Sequence, residues 1–241
     1  MSVLAPLALA ALLLPLSGLA FLNHDAIAFG VRVSDERVGG SSPAAAKALL
    51  LRRARAYAQR EFTFTVGGEE FRITTAATGL TLDGEETWKQ AFAVGRGGNI
   101  FANIKEQLRA ALFGMRLRFA AKIDDRTFET FFEAHLETHE NRARDASLGW
   151  NEEKGVFETV TERDGTVIDT SKLKYDLLHA GSAFRTPTIA VLTVHDEPSI
   201  RTSDVEPLVP KANEILENAP VAITYPPEKT VRSKIEKAQL K

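Results

Sequence analysis

The chain contains no cysteine. That absence removes disulfides, Cys-ligated zinc, iron–sulfur clusters and a thiolate nucleophile from the chemistry open to it. Excess charge is missing too: 30 Lys and Arg face 32 Asp and Glu, a formal −2. The sequence therefore carries neither the basic footprint of a nucleic-acid binder nor a single-sign run of the kind that forms an interaction tail. No Gly-x-Ser-x-Gly nucleophile elbow is present. No catalytic residue and no cofactor is implied. At 241 residues the length still suffices for one or two domains with a substantial core.

What is there begins with VLAPLALAALLLPLSGLAFL, Val3 to Leu22, a run without a charge. A soluble helix shows a polar face and this segment shows none. Its length fits a membrane span of about twenty residues. No Lys or Arg precedes it, and Leu19-Ala20-Phe21 lacks the small-residue pattern of a cleavage site. Residues 1–27 are expected to form an N-terminal transmembrane or signal helix, with anchor ahead of cleaved signal. The remainder is then extracytoplasmic at the cell membrane, or secreted after cleavage.

The rest reads as α+β, small mixed sheets and hairpins packed with helices. GVRVSDERVGG, from Gly30, is a short alternating strand and a turn. Ser41 or Ser42 caps a helix that begins at Pro43. Its apolar face holds Ala46, Leu49, Leu50, Ala54 and Tyr57. Arg52, Arg53, Arg55 and Arg60 form a basic face, read as solvated, with contact to an anionic polymer as the alternative. FTFTVGGEEFRIT is a hairpin turning at Gly67-Gly68. Helices are expected over about 43–60, 99–113, 125–140 and 203–218, with a second hairpin around Gly155. A strand is expected over Leu117–Ile123, and another in TPTIAVLTVHDEP. Ser171 is the expected cap of a short helix, LKYDLLHA, ending at Gly181, and Ser203 that of the helix over 203–218. The order helix, VAITY, Pro-Pro-Glu-Lys turn, TVRS repeats helix, FTFTV, GGEE, FRIT, so residues 186–241 are read as a partial second copy of the opening unit.

GRGGN, Gly95 to Asn99, poses the sharpest question. Phosphate-cradling loops follow a strand and open a helix. This one joins two helical stretches, and no Gly-Lys-Ser/Thr follows. It reads as a helix–helix corner, with one of Gly95, Gly97 and Gly98 at a positive backbone angle and strain expected from Gly97→Ala and Gly98→Val. Asn99 is suited to capping a second helix whose apolar face is Ile100, Phe101, Ile104, Leu108 and Leu112. Arg96 can tie carbonyls across the bend or meet a ligand. Trp88 and Trp150 offer rings that can stack on a sugar, though each also suits a core or hairpin. The candidate ligand-binding residues are thus Arg96, Asn99, Trp88 and Trp150. His135 and His139 have the i, i+4 spacing of two metal ligands, but Leu136 stands where zinc proteases carry Glu. The expected role of His135 is packing beside Phe131 and Phe132, and no metal site is assigned.

The elements GVRVSDERVGGSSPAAA, TGLTLDGEETWKQAFAVGRGGNI, RDASLGWN and DGTVIDTSKL together resemble the YoaR-like peptidoglycan-binding domain. That domain is found ahead of VanW-type domains and L,D-transpeptidase catalytic domains in bacterial envelope proteins. The resemblance covers roughly residues 28–180, with Ala91 to Asn99 its most specific part. It implies a peptidoglycan-binding-like α+β domain over 28–182 that holds peptidoglycan or wall peptide near the membrane without catalysing a reaction. Without cysteine, L,D-transpeptidase chemistry cannot reside in this chain. The competing expectation is a spacer or protein-interaction module of a larger envelope protein, without glycan affinity.

Overall fold

The computed structural model describes residues 25–219, 221–225, 230–235 and 238. The expected helix over Val3–Leu22 lies outside the described residues. Among the described residues, no helix is long and apolar enough to cross a membrane.

In chain order the elements are β1 (Val31–Val33), β2 (Glu36–Arg37), α1 (Pro43–Ala58), β3 (Glu61–Val66), β4 (Glu69–Thr74), β5 (Leu80–Asp83), α2 (Gly84–Ala93) and α3 (Ile100–Phe113). Next come β6 (Met115–Leu117), β7 (Ala120–Ile123), α4 (Asp125–His135), β8 (Ser147–Asn151), β9 (Val156–Val160), β10 (Gly165–Ile168) and α5 (Thr170–Ser182). The chain continues with β11 (Thr188–Ala190), β12 (Thr193–Asp196), α6 (Thr202–Val205), α7 (Val209–Glu217), β13 (Val221–Tyr225) and β14 (Thr230–Ile235). The expected mixture of helices and small sheets is what forms.

Contacts gather these elements into two compact units. One joins the described residues up to Glu137 with Asp169–Leu192; the other joins Thr138–Ile168 with the described residues from Thr193 onward. The units interleave along the chain, whereas the expected boundaries at 182 and 186 run between continuous segments.

Capping side chains set most helix starts. Ser42 Oγ accepts the Ala45 N–H ahead of Pro43, as the sequence dictates. Asp83, Asn99 and Asp124 accept the N–H groups of Glu86, Ala102 and Thr127, each at 2.9 Å. Two expected caps fall elsewhere. Asp169, not Ser171, caps α5 by accepting from Lys172 at 2.8 Å. At α6 the Glu162 carboxylate, brought from β9's far end, accepts the Thr202 N–H at 2.9 Å, so Ser203 is not needed. A carboxylate outcompetes a hydroxyl for a helix N-terminus because its charge also complements the macrodipole.

In the first unit, β3 and β4 pair antiparallel through Gly67 and Gly68, both at positive φ, the geometry of a tight hairpin turn. β11 joins β3 in parallel. A second sheet has the order β2-β1-β6, with β6 parallel to β1. The expected single strand over Leu117–Ile123 is interrupted: β6 pairs with β1 while β7 pairs with β5. Buried Phe119 lies between them, its N–H bound to the Ser182 carbonyl at 2.9 Å. TPTIAVLTVHDEP is likewise divided, β11 going to the first unit and β12 pairing with β10 in the second. The second unit also holds the β8–β9 hairpin, turning at Gly155 as expected, and the β13–β14 hairpin.

The first unit's core has an aliphatic part around Ile27, Val31, Val33, Val38, Leu50 and Ala91. Its aromatic part centres on Phe64, whose ring lies 5.4 Å from Phe71 and 5.2 Å from Phe131. One expectation about this core is reversed. The apolar face of α3 is turned outward: Phe101 is 81% and Phe113 83% exposed, and Ile100 and Leu112 are exposed beside them. Gln107 and Ala110 face inward instead. The cause is backbone approach at Gly30, where a Cβ would stand 1.8 Å from the Ala110 carbonyl oxygen. It is the Ala110–Ala111 backbone of α3 that comes this close to Gly30.

The caps generate a pH-dependent prediction. The Glu86 backbone N–H, aided by nearby Lys122, holds the Asp83 carboxyl below the usual carboxylate range. A depressed folded pKa contributes stability that is present above the unfolded value of about 3.9 and is lost as pH falls through the folded value. Asp83→Ala should therefore cost about 1 kcal/mol at pH 7, and the gap to wild type should close in acid. Urea titrations at pH 7 and pH 3 measure it; an equal gap at both values would contradict the assignment.

Candidate functional site

The GRGGN corner is closed by its own hydrogen bonds. The Gly95 N–H donates to Glu106 Oε2 at 2.9 Å, and Gln107 Nε2 donates back to the Gly95 carbonyl at 3.0 Å. The Arg96 N–H donates to the Ala93 carbonyl at 2.9 Å. Asn103 exchanges two bonds with Gly98, and Asn99 caps α3. Three backbone N–H groups that a phosphate would need are thus already spent on neighbours. The loop is a corner, held by Glu106, Gln107 and Asn103 reaching back from the helix it precedes.

Arg96 is turned the same way. Its guanidinium donates to the Phe92 carbonyl at 2.5 Å and to the Ala26 carbonyl at 2.6 Å. It also lies 4.0 Å above the Phe92 ring. Burial lowers its pKa, with Asp25 opposing. Phe92 stacks in turn on Trp88 at 5.9 Å, and Lys47 stands 5.4 Å from the Trp88 ring while pairing with Glu85 at 2.8 Å. Trp88 and Phe92, i and i+4 on α2, stack on each other, and a cation meets each ring, Lys47 at Trp88 and Arg96, just past the helix end, at Phe92. The Trp88 Nε1 is buried without a hydrogen-bond partner among the described residues.

Trp150 belongs to the second unit. It sits opposite Phe157 in the β8–β9 register, and the two rings meet edge to face at 5.3 Å. It is a cross-strand hairpin pair of the kind that stabilises isolated ribbons. The structure therefore brings Arg96, Asn99 and Trp88 to one corner of the first unit and places Trp150 in the other unit.

The remaining candidates resolve similarly. His135 stacks on Phe71 at 5.6 Å. α4 ends at that residue and a 3₁₀ turn follows over Glu137–His139, so the helical i, i+4 pairing with His139 does not form. The basic face of α1 is partly engaged: Arg53 pairs with Glu36, and Arg60 lies 4.5 Å over the Phe184 ring.

One group of side chains was not singled out from the sequence. Arg37, Arg32 and Arg116 stand opposite one another across β2-β1-β6. No ion pair engages any of the three among the described residues. The legible signal was an arginine at the centre of two otherwise apolar strands, Val31-Arg32-Val33 and Met115-Arg116-Leu117. Strand partners, and hence the row, cannot be read from one sequence.

Among the corner glycines, Gly95 alone has a positive φ, +69, and a Cβ there would stand 2.3 Å from Gln107 Cγ. Gly97 has open space and an ordinary φ, which corrects the expectation of strain at Gly97. Gly95→Ala should lower stability by more than about 1 kcal/mol, and Gly97→Ala should leave it unchanged. Paired thermal melts decide this, and a costly Gly97→Ala would overturn the reading.

Residues 71–183 match a family model described as Putative peptidoglycan binding domain. The match covers just under half of the chain and runs from within β4 to the end of α5, taking in the corner, Trp88, Arg116 and Trp150. No curated protein and no solved structure gives a significant match. Over that stretch, the chain is similar to a peptidoglycan-binding module of the cell wall.

Proposed function

We propose that the protein is a non-catalytic, extracytoplasmic module that binds peptidoglycan or wall peptide near the membrane, to which the uncharged Val3–Leu22 run directs it. The family match over residues 71–183 carries this reading. The closer likeness to YoaR-like domains, and with it a place ahead of a VanW-type or L,D-transpeptidase domain, rests on the quoted sequence motifs. We also infer that residues 186–241 are a partial second copy. α6 and α7 followed by the β13–β14 hairpin repeat the order of α1 followed by β3–β4.

In this reading Arg96 and Asn99 serve binding by holding the corner, and sugar stacking on Trp88 or Trp150 would have to displace a present neighbour, Lys47 from Trp88 or Phe157 from Trp150. A second reading, the spacer or protein-interaction module, is favoured by the outward face of α3. Exposed contiguous apolar residues on a soluble domain mark contact surfaces, and Ile100, Phe101, Leu112 and Phe113 provide such a face.

Sedimentation with purified sacculi separates the two. The wild-type chain is expected in the pellet. A folded protein left in the supernatant would reject wall binding in favour of the spacer. Arg96→Ala is expected to lower the melting temperature and to reduce retention only in proportion. An unchanged melt with abolished retention would instead make the corner the binding site.

A further inference from the structure

We infer that the outer face of the β2-β1-β6 sheet is an anion-binding site whose ligand is the carboxylates of the wall's peptide stems. This deepens the wall-binding reading and rests on it.

The argument starts from register. Arg32 is the Cα partner of both Arg37 and Arg116, so three arginines form a row across three strands. Neighbouring strands lie about 4.8 Å apart, and the residues flanking Arg32 on the strand, Val31 and Val33, are buried on the opposite face. Like charges directly opposite each other destabilise a sheet. Of the two carboxylates in the β1–β2 turn, Glu36, next to Arg37, turns away to Arg53 on α1, and Asp35 makes no ion pair with the row among the described residues. The sheet thus keeps three guanidiniums side by side with no ion pair among the described residues, a cost that a bound anion would relieve.

The row continues into a built concavity. Beside Arg116 lies a cleft of about 210 Å³ lined by Arg116, Arg118, Arg185 and His179, with Asp35 as its acid. Arg118 Nη1 stands 3.5 Å from His179 Nδ1. On the other side of Arg116 a cleft of about 410 Å³ passes over Arg32, Phe113 and Met115. Arg116 is the ridge between the two. An extended peptide crossing it would set carboxylates against the guanidinium forks and an apolar stretch against Phe113 and Met115.

The guanidinium fork fits carboxylate and phosphate alike. The glycan strands of peptidoglycan give arginine little to pair with, whereas the stems carry free carboxylates, which is why the wall-binding reading selects them. Phosphodiester polymers attached to walls share the chemistry and must be separated experimentally.

The experiment uses the full-length chain in mild detergent with three preparations: native sacculi, sacculi stripped of phosphodiester polymers by hydrofluoric acid, and sacculi whose carboxyls have been amidated. Wild type should bind the first two equally and lose at least tenfold on the third. Arg32→Gln/Arg116→Gln should bind native sacculi at least tenfold more weakly while its melting temperature holds or rises, because like-charge repulsion has been removed. Arg37→Gln, at the exposed edge strand, should weaken binding in the same direction without touching the core. Full retention by both variants would overturn the site and leave the wall-binding reading intact. Loss that follows phosphate removal rather than amidation would overturn the carboxylate assignment. Wild type failing to bind native sacculi would overturn the wall-binding reading itself.

Discussion

Tyr57 is the hinge on which the first unit is assembled. It is fully buried at the end of α1, and its hydroxyl donates to the Arg185 carbonyl at 2.6 Å. Burial pushes the phenol's pKa up, so the group remains a donor across the physiological range. The bond fixes the chain just after α5. There Phe184 adopts a positive φ of 60, a conformation that costs a non-glycine residue about 1–3 kcal/mol. Rings hold it in place: Tyr57 at 5.0 Å, Phe119 at 5.1 Å and the Arg60 guanidinium at 4.5 Å. The turn so held sends β11 back against β3.

Local features of this fold were legible because their causes are local. Ser42-Pro43 starts α1, Gly67-Gly68 turns a hairpin, and Asn99 caps α3 wherever the rest of the chain goes. What escaped depends on partners distant in sequence. Periodicity shows that α3 is amphipathic but not which face a neighbour covers, and the close approach of Gly30 to Ala110 decides that. β11 and β12 read as one strand because nothing local separates Ala190 from Thr193; their different partners do. The candidate site divides along the same line. The corner's glycines and Asn99 were visible, while the arginine row exists only once β1, β2 and β6 are paired.

The two sets of arginines show how environment assigns a role to one side chain. Arg96 and Arg60 are spent internally, on carbonyl oxygens and aromatic faces, and act as struts. Arg32 and Arg116 have equivalent chemistry, but among the described residues neither guanidinium makes an ion pair. A guanidinium cannot shed its charge, so its donors are met by the fold, by water or by something bound to it.

The interleaving of the two units also dictates an order of events during synthesis. β3 and β4 emerge early, but the strand that covers β3's open edge, Thr188–Ala190, follows only after Thr138–Ile168, which belongs to the other unit, has been made. At about 5–20 residues per second, the span from Val66 to Thr188 leaves β3 waiting for roughly 6–24 seconds. Its sequence, Phe62-Thr63-Phe64-Thr65-Val66, is the β-prone, uncharged type that pairs readily with other copies of itself. Arg60-Glu61 on one side and Glu69-Glu70 on the other bracket it with charge, the arrangement that keeps an unfinished strand from aggregating before its partner arrives.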